Sequence, residues 1–265
     1  MEKISVVIIT YNEEASLERC IESVKPVADE IIILDSFSTD NTIRLGIEAG
    51  AVVYQQTFRG YKEQKNAALQ YASYHYILSV DADEVLSVEL INSILAVKEN
   101  PAYAAYSMNR CNFFLGRFIR HGLWYPDRKV RLFDKRFARW GGMNPHDKII
   151  LDSDRNVHHL EGDLFHYSFA SISEYVKRNE EITTIAAASL YKKGEHAGLR
   201  IIINPAWRFI KSYLLKKGFL DGYPGFIIAK NLAAQAYMKY KKLNILNRGK
   251  NNPIEKNVSV SLTDK

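Results

Sequence analysis

Two carboxylates separated by one residue, Asp81 and Asp83, follow the apolar run Ile77-Leu78-Ser79-Val80. If the chain stays extended through Asp81-Ala82-Asp83-Glu84, both acids leave a buried strand on the same side, where they could face one divalent cation. Magnesium takes oxygen ligands, usually one or two carboxylates completed by substrate phosphates, and manganese accepts the same hard set. Such a pair also arises by chance in acidic turns, so its weight comes from its position. Thr10, Tyr11 and Asn12 end the β-branched run from Ile4, and Asp35 ends another from Glu30. In an open parallel sheet, ligands bind outside the carboxyl ends of the strands, which brings these residues to one cleft. Taken singly, Asp35 and Asp40 equally suit helix caps.

The elements that position them alternate. Strands are expected at Ile4–Thr10, Glu30–Leu34, Ala51–Gln55 and Tyr76–Val80, with helical patterns between them, the signature of βαβ units. Asn12 is placed to cap a helix on which Leu17, Cys20, Ile21 and Val24 share one face, and Pro26 ends it. Helices follow near Asn41–Ala49, with Gly50 as its stop, near Lys62–Tyr74 and from Ser87 to Glu99. The aromatic and basic stretch from Tyr103 to Trp140 reads as two or three strands. Helices are expected from Ser171 to Lys192, Leu199 to Lys217 and Tyr223 to Leu243. This divides the chain into a catalytic domain over 1–170, with a nucleotide-binding half (1–100) and an acceptor-binding half (101–170), a helical region over 171–244 and a flexible tail over 245–265.

With 265 residues, 47% of them hydrophobic and 25% charged, the chain can bury a sizeable core without staples. Cys20 and Cys111 have no CxxC spacing, so neither a disulfide framework nor a zinc knuckle is indicated. The opening MEKISVVIITYNEE lacks a secretory pattern, and no run of about 18 uninterrupted apolar residues suggests a membrane span. A cytoplasmic location is expected. The net charge of +6 favours an anionic partner: nucleotide, anionic lipid or nucleic acid. No GxGxxG follows the first strand and no GxxxxGK[ST] occurs, so phosphate charge must be met otherwise, by a metal helped by cations such as Lys65, a residue that suits a surface charge nearly as well.

In order along the chain, SVVIITYNEE, ILDSFSTDNT, GYKEQKNAAL, LSVDADE and NFFLGRFIRHGLWYPDRKVRLF resemble the family 2 glycosyltransferases over about residues 1–240. Within that family the branch resembled is the lipopolysaccharide core glucosyltransferases. The resemblance implies a GT-A nucleotide-diphospho-sugar transferase fold, a Rossmann-like mixed sheet flanked by helices, with a C-terminal helical extension. It implies that Thr10, Tyr11 and Asp35 hold the base and ribose, with Asn12, Glu13 and Ala82 also in the donor site. Lys65 then lies near the base or phosphates, and Asp81 and Asp83 serve the ribose and a Mg2+ or Mn2+ ion. A UDP-linked hexose is the donor expected, and a lipopolysaccharide core, lipid-linked or other cell-envelope glycan the acceptor.

Inverting transfer needs one base to take the acceptor's proton. Asp147, in Asn144-Pro145-His146-Asp147, stands where similar relatives carry a His-Glu pair; Asp127, Glu161 and Asp163 are the alternatives. His166 resembles the histidine that completes the metal site, although a core histidine fits the same pattern. Arg117, Arg120, His121, Trp124, Tyr125, Arg128 and Arg131 suit a phosphorylated sugar acceptor through Arg contacts and stacking; otherwise the aromatics are core and the arginines a rim. Trp207, Phe209, Ile210, Tyr213, Leu214, Leu215 and Phe219 alternate with cations in a segment that suits an anionic membrane headgroup region, on the cytoplasmic face of the inner membrane, or packing within the protein. The competing classes are a nucleotidyltransferase, which lacks its Gly-rich phosphate loop here, and a noncatalytic sugar- or nucleic-acid-binding protein. No RRM, KH or helix-turn-helix pattern supports nucleic-acid binding.

Overall fold

Each β-branched run expected in the first eighty residues forms a strand: β1 (Ile4–Thr10), β2 (Glu30–Asp35), β3 (Val52–Gln55) and β4 (Tyr76–Asp81). The structure is a computed structural model and describes residues 1–143, 146–152, 156–167 and 172–249. Between these strands run α1 (Leu17–Val24), α2 (Thr42–Glu48) and α3 (Tyr61–Tyr71). The four apolar residues predicted on one face of α1, Leu17, Cys20, Ile21 and Val24, are all fully buried. Asn12 does not cap this helix. Ser16 occupies the N-cap position, and Asn12 adopts φ 55°, accepting a hydrogen bond from the backbone N–H of Thr39 on its side-chain oxygen (2.8 Å). A short polar side chain tolerates the left-handed region better than most, so Asn12 fastens the loop after β1 to the loop after β2.

After β4 the chain forms β5 (Glu84–Leu86), α4 (Val88–Glu99), β6 (Ala105–Phe114), β7 (Arg117–Phe118), β8 (Asp127–Asp134), β9 (Ala138–Met143), β10 (His146–Leu151) and β11 (Val157–His166). One sheet has the order β3-β2-β1-β4-β8-β6-β11-β5. Its first four strands are parallel. β8 is antiparallel to both β4 and β6, whereas β11 is parallel to β6 and antiparallel to β5. The carboxyl ends of β1, β2, β4, β6 and β11 therefore share one edge, and β5 begins there. Apolar residues of α1 and α4 fill one face of the sheet; α3 and the β9–β10 hairpin fill the other.

Two local devices hold this edge. Ser87 caps α4 by accepting from the N–H of Leu90 (3.2 Å), and its oxygen also accepts from the N–H of Asp163 (3.1 Å). Gly162, at φ 94°, lies where an added Cβ would stand 2.3 Å from the Leu90 nitrogen; it sits within the register shift between His159 and Asp163 and lets α4 lie close against β11.

The chain divides into two compact units, Met1–Phe113 with Pro126–Ser168, and Phe114–Tyr125 with Phe169–Lys265. The segment 114–125, expected in the acceptor half of the catalytic domain, thus belongs with the helices, because Phe114 and Ile119 share a core with Ile228 and Leu232. The helical unit contains α5 (Ile172–Lys192), α6 (Arg200–Ile210), a π-helical turn at Lys211–Leu215, a 3-10 turn at Gly218–Asp221 and α7 (Gly222–Gly249). Residues 245–249, expected to belong to a flexible tail, instead continue α7; the rest of that tail, from 250 onward, lies outside the described residues, as do Asn144 and Pro145. Among the described residues no helix is long and apolar enough to cross a membrane.

Candidate active site

The sheet edge gathers the first group of expected donor residues into a pinned loop pair. Thr10 donates its hydroxyl to Asp35 Oδ1 (2.8 Å), and Asp35 Oδ2 accepts the N–H of Ser38 (2.7 Å). Asp35 is fully buried, so its charge is held by these donors. Tyr11, by contrast, is 60% exposed at the mouth of the loop. Glu13 receives the Ser16 hydroxyl (2.6 Å). Its pKa is raised, first by burial and then, against the pull of that hydrogen bond, by the negative charges of Asp83, Asp40 and Asp81. Negative potential concentrates here, the condition a cation needs.

The two acids of the Asp81-Ala82-Asp83 segment take different partners. The chain turns at Ala82 and Asp83 instead of staying extended, and Ala82 is buried in the core. Asp81 Oδ1 lies 3.1 Å from Lys65 Nζ, and Asp81 Oδ2 accepts from the Arg131 guanidinium (2.7 Å). Burial would raise the pKa of this carboxyl, but the charges of Arg131 and Lys65 outweigh it and hold the group well below the usual range. Asp83 is turned instead toward β11: its Oδ2 stands 3.2 Å from His166 Nε2. His166 Nδ1 meets the side-chain oxygen of Asn112 at 2.7 Å, on the neighbouring strand in register with it. Because that oxygen only accepts, Nδ1 donates to it, and Nε2 is the ring atom that faces Asp83.

Asp83 and His166 fit a metal. Two donors cis to each other on an ion with bonds of ~2.1 Å lie about 3 Å apart, close to the observed separation, and the Asn112 contact is the outer-shell orienter that ligating histidines carry. Among the described residues no three His, Cys, Asp or Glu side chains cluster to hold a metal by themselves. The remaining positions would fall to phosphate oxygens and water, as hard cations in nucleotide sites commonly arrange.

Behind the turn lies a charge network that the sequence did not disclose. Arg131 donates to Glu84 Oε1 (2.6 Å) as well as to Asp81, and Glu84 Oε2 accepts the N–H of Asp81 (2.9 Å). Glu84 and Arg131 are 0% and 4% exposed. Arg131 is therefore unavailable as the acceptor contact expected of it; a buried guanidinium needs these carboxylates, which in turn hold it protonated. Lys65, also buried, bridges Asp81 to Asp147 Oδ2 (3.1 Å) and lies 4.3 Å from the centre of the Trp140 ring. Asn66 brackets the Trp140 backbone, donating to its carbonyl and accepting its N–H. Asp147, 9% exposed at its side chain, thus belongs to the same network as Asp81. Of the alternative bases, Asp127 is tied to Arg110 (2.8 Å) and Lys129 (3.1 Å).

The expected acceptor stretch divides. Trp124 packs against Phe114 in the helical core (5.4 Å between rings). His121 Nδ1 contacts the buried Asp221 (3.0 Å), which also accepts the backbone N–H groups of Arg120 and His121 (3.3 and 2.8 Å). These two rings are used inside their unit. Arg120 itself is exposed and Tyr125 half-buried. Asn112, Glu84 and Trp140 were missed. Glu84 adjoins the Asp81–Asp83 pair in sequence, but nothing there signals its burial, and Asn112 meets His166 only through the pairing of β6 with β11.

Residues 5–175 match the family described as glycosyl transferase family 2, and the chain belongs to it. An uncharacterized glycosyltransferase of Rickettsia typhi is 32% identical over 96% of this chain and 91% of its own length. The lipopolysaccharide core biosynthesis glycosyltransferase LpsC of Rhizobium meliloti is 29% identical over 91% of each. Among solved structures, glucosyl-3-phosphoglycerate synthase from Mycobacterium tuberculosis, in complex with Mn2+, UDP and glucosyl-3-phosphoglycerate, is 26% identical over 43% of this chain and 45% of that one, with a TM-score of 0.35. That match spans less than half of the synthase. The protein is accordingly a glycosyltransferase that uses a nucleotide-sugar donor, and its mixed sheet with flanking helices is the GT-A arrangement expected of it.

Proposed function

We propose that the protein is an inverting hexosyltransferase that moves a sugar from a UDP-linked donor to a lipopolysaccharide core, lipid-linked or other cell-envelope glycan. The acceptor would be met at the cytoplasmic face of the inner membrane, with Arg120 and Tyr125 among its candidate contacts. The observation that carries the donor site is the Asp83–His166 pair, 3.2 Å apart and oriented by Asn112, on the edge that also holds Thr10, Asp35 and Asp81. Kinship with the core biosynthesis enzyme of Rhizobium meliloti supports the acceptor class.

In this reading Asp83 and His166 would hold the Mg2+ or Mn2+ ion, with the borderline imidazole donor favouring manganese. The ion supplies charge neutralisation for the departing diphosphate. The loop pair of Thr10–Glu13 and Asp35–Thr39 would take the nucleoside, and Lys65 and Arg131 would keep Asp81 ionised and aimed along the edge. Asp147 would accept the acceptor's hydroxyl proton as that oxygen bonds to the anomeric carbon. On the opposite face the bond from that carbon to the diphosphate oxygen breaks, and the diphosphate leaves with the electron pair. Asp147→Asn should leave UDP binding intact and cut turnover by about 10²–10⁴-fold, measured as UDP release in the presence of acceptor. Wild-type turnover in that variant would remove Asp147 from the base role.

A further inference from the structure

α6 and the turn after it present an apolar surface that is exposed among the described residues. No residue of α6 is buried. Leu199, Ile203, Trp207, Ile210 and Leu214 recur at intervals of four, four, three and four residues, so they lie along one helical face, and they are 73, 57, 52, 41 and 53% exposed. The helix packs by its other side, where Ile201 joins the cluster of Ala197, Tyr240 and Leu243 and Asn204 donates to the Tyr240 hydroxyl (2.6 Å). The outward stripe is therefore surplus to folding.

The turn repeats this arrangement. Its inner side, made of Ser212, Gly218, Asp221 and Gly225, is buried, and a Cβ on Gly225 would fall 1.9 Å from the Gly218 carbonyl oxygen. The backbone is thus closed tightly on itself while Leu215, Phe219, Leu220 and Tyr223 point outward, 60, 45, 50 and 65% exposed. Scattered apolar side chains are ordinary on a protein surface; a continuous apolar strip held outward by a tight inner side marks a contact surface.

Charge identifies the partner. From Ala197 to Gly249 there are ten lysines and arginines and one acid, Asp221, and that acid is buried. Arg208, Lys211, Lys216 and Lys217 are exposed beside the apolar strip. A second copy would bring the same cations against these. Nucleic acid would satisfy the charge and leave the leucines and isoleucines wet. An anionic bilayer meets both needs, with phosphates for the cations and the acyl boundary for the apolar strip. At about 1.5 Å per residue, the 11 residues of α6 are too short to cross a hydrocarbon core of about 30 Å, so the helix would lie in the plane of the membrane.

We infer that this face docks the enzyme on an anionic membrane surface, with Trp207, Ile210, Leu214 and Phe219 entering the headgroup boundary and Arg208, Lys211 and Lys216 meeting lipid phosphates. This deepens the reading of the acceptor as lipid-linked and takes its purpose from that reading. The test is co-sedimentation of the full chain with vesicles of phosphatidylglycerol and phosphatidylethanolamine, against vesicles of phosphatidylcholine alone. The wild type should bind only the anionic vesicles. Replacing Arg208, Lys211 and Lys216 together by Gln should weaken binding on the order of a hundredfold at low salt, and Trp207→Ser with Leu214→Ser should weaken it at any salt. All variants should keep the wild-type circular dichroism and melting midpoint. Wild-type affinity in both variants, no binding by the wild type, or a dimer in light scattering that Trp207→Ser dissolves would overturn the proposal. UDP binding with Mn2+, measured on the same proteins without vesicles, separates the two readings. Vesicle binding without nucleotide binding removes the transferase site and leaves the docking face; nucleotide binding without vesicle binding removes the docking face alone.

Discussion

In the sheet unit Lys65, Glu84 and Arg131 are 6, 0 and 4% exposed, each tied to partners of opposite charge. In the helical unit Arg208, Lys211, Lys216 and Lys217 face outward beside exposed leucines and isoleucines, and the acid Asp221 is kept inside. A buried charge must be paired to offset its desolvation, and pairing fixes its position; that gives the sheet edge carboxylates of set direction before any ligand arrives. Exposed charges are free to meet a partner and contribute little to stability. One unit is thus organised as a site and the other as a surface.

The contrast is broken most directly by removing one cation from each unit. Arg131→Met should destabilise the protein by about 3–5 kcal/mol, because Glu84 and Asp81 lose their common partner inside the fold, whereas Arg208→Met should stay within about 0.5 kcal/mol. Urea unfolding followed by circular dichroism measures both, and similar values would erase the distinction. Next in size, Asn112→Ala should weaken Mn2+ binding by about 10–100-fold with little change in melting midpoint, read by calorimetry in the presence of UDP; unchanged affinity would mean that His166 needs no orienter.

A smaller effect separates Asp81 from the exposed acids. Burial raises its pKa, but the Arg131 and Lys65 charges lower it further, so the net shift is downward. A depressed carboxyl adds stability above its unfolded pKa of about 3.9, and that contribution is lost as pH falls below this value toward the folded pKa. Acid titration of stability should therefore be steeper below about pH 4 in the wild type than in Asp81→Asn, with the two curves parallel at neutral pH. Equal slopes in the acid range would show that Asp81 ionises as freely in the fold as in the unfolded chain.

Much of the sheet unit was legible in the sequence because its signals are local. β-branched runs and the Leu17-Cys20-Ile21-Val24 spacing specify parallel strands and the helix between them, and Asp35 and Asp81 stand at strand ends by simple counting. The antiparallel half was less legible, since β6, β8 and β11 are neighbours through pairings that no short motif encodes. That pairing brings Asn112 to His166 and sets Arg131 against Asp81 and Glu84. Arg131 illustrates the limit: in the sequence it is one more arginine of a basic aromatic stretch, and only the inward side of β8 makes it a buried clamp. Trp124 and His121 likewise carried a binding signature, yet in the fold they pack on Phe114 and contact Asp221.

Calorimetric titration of UDP, with and without Mn2+, into the wild type and Asp83→Ala asks whether the carboxyl edge of the sheet is a metal-assisted donor site built on Asp83 and His166. UDP should bind the wild type only when Mn2+ is present and should not bind the variant, with both proteins equally folded. Manganese-dependent UDP binding of the same affinity in Asp83→Ala would contradict it.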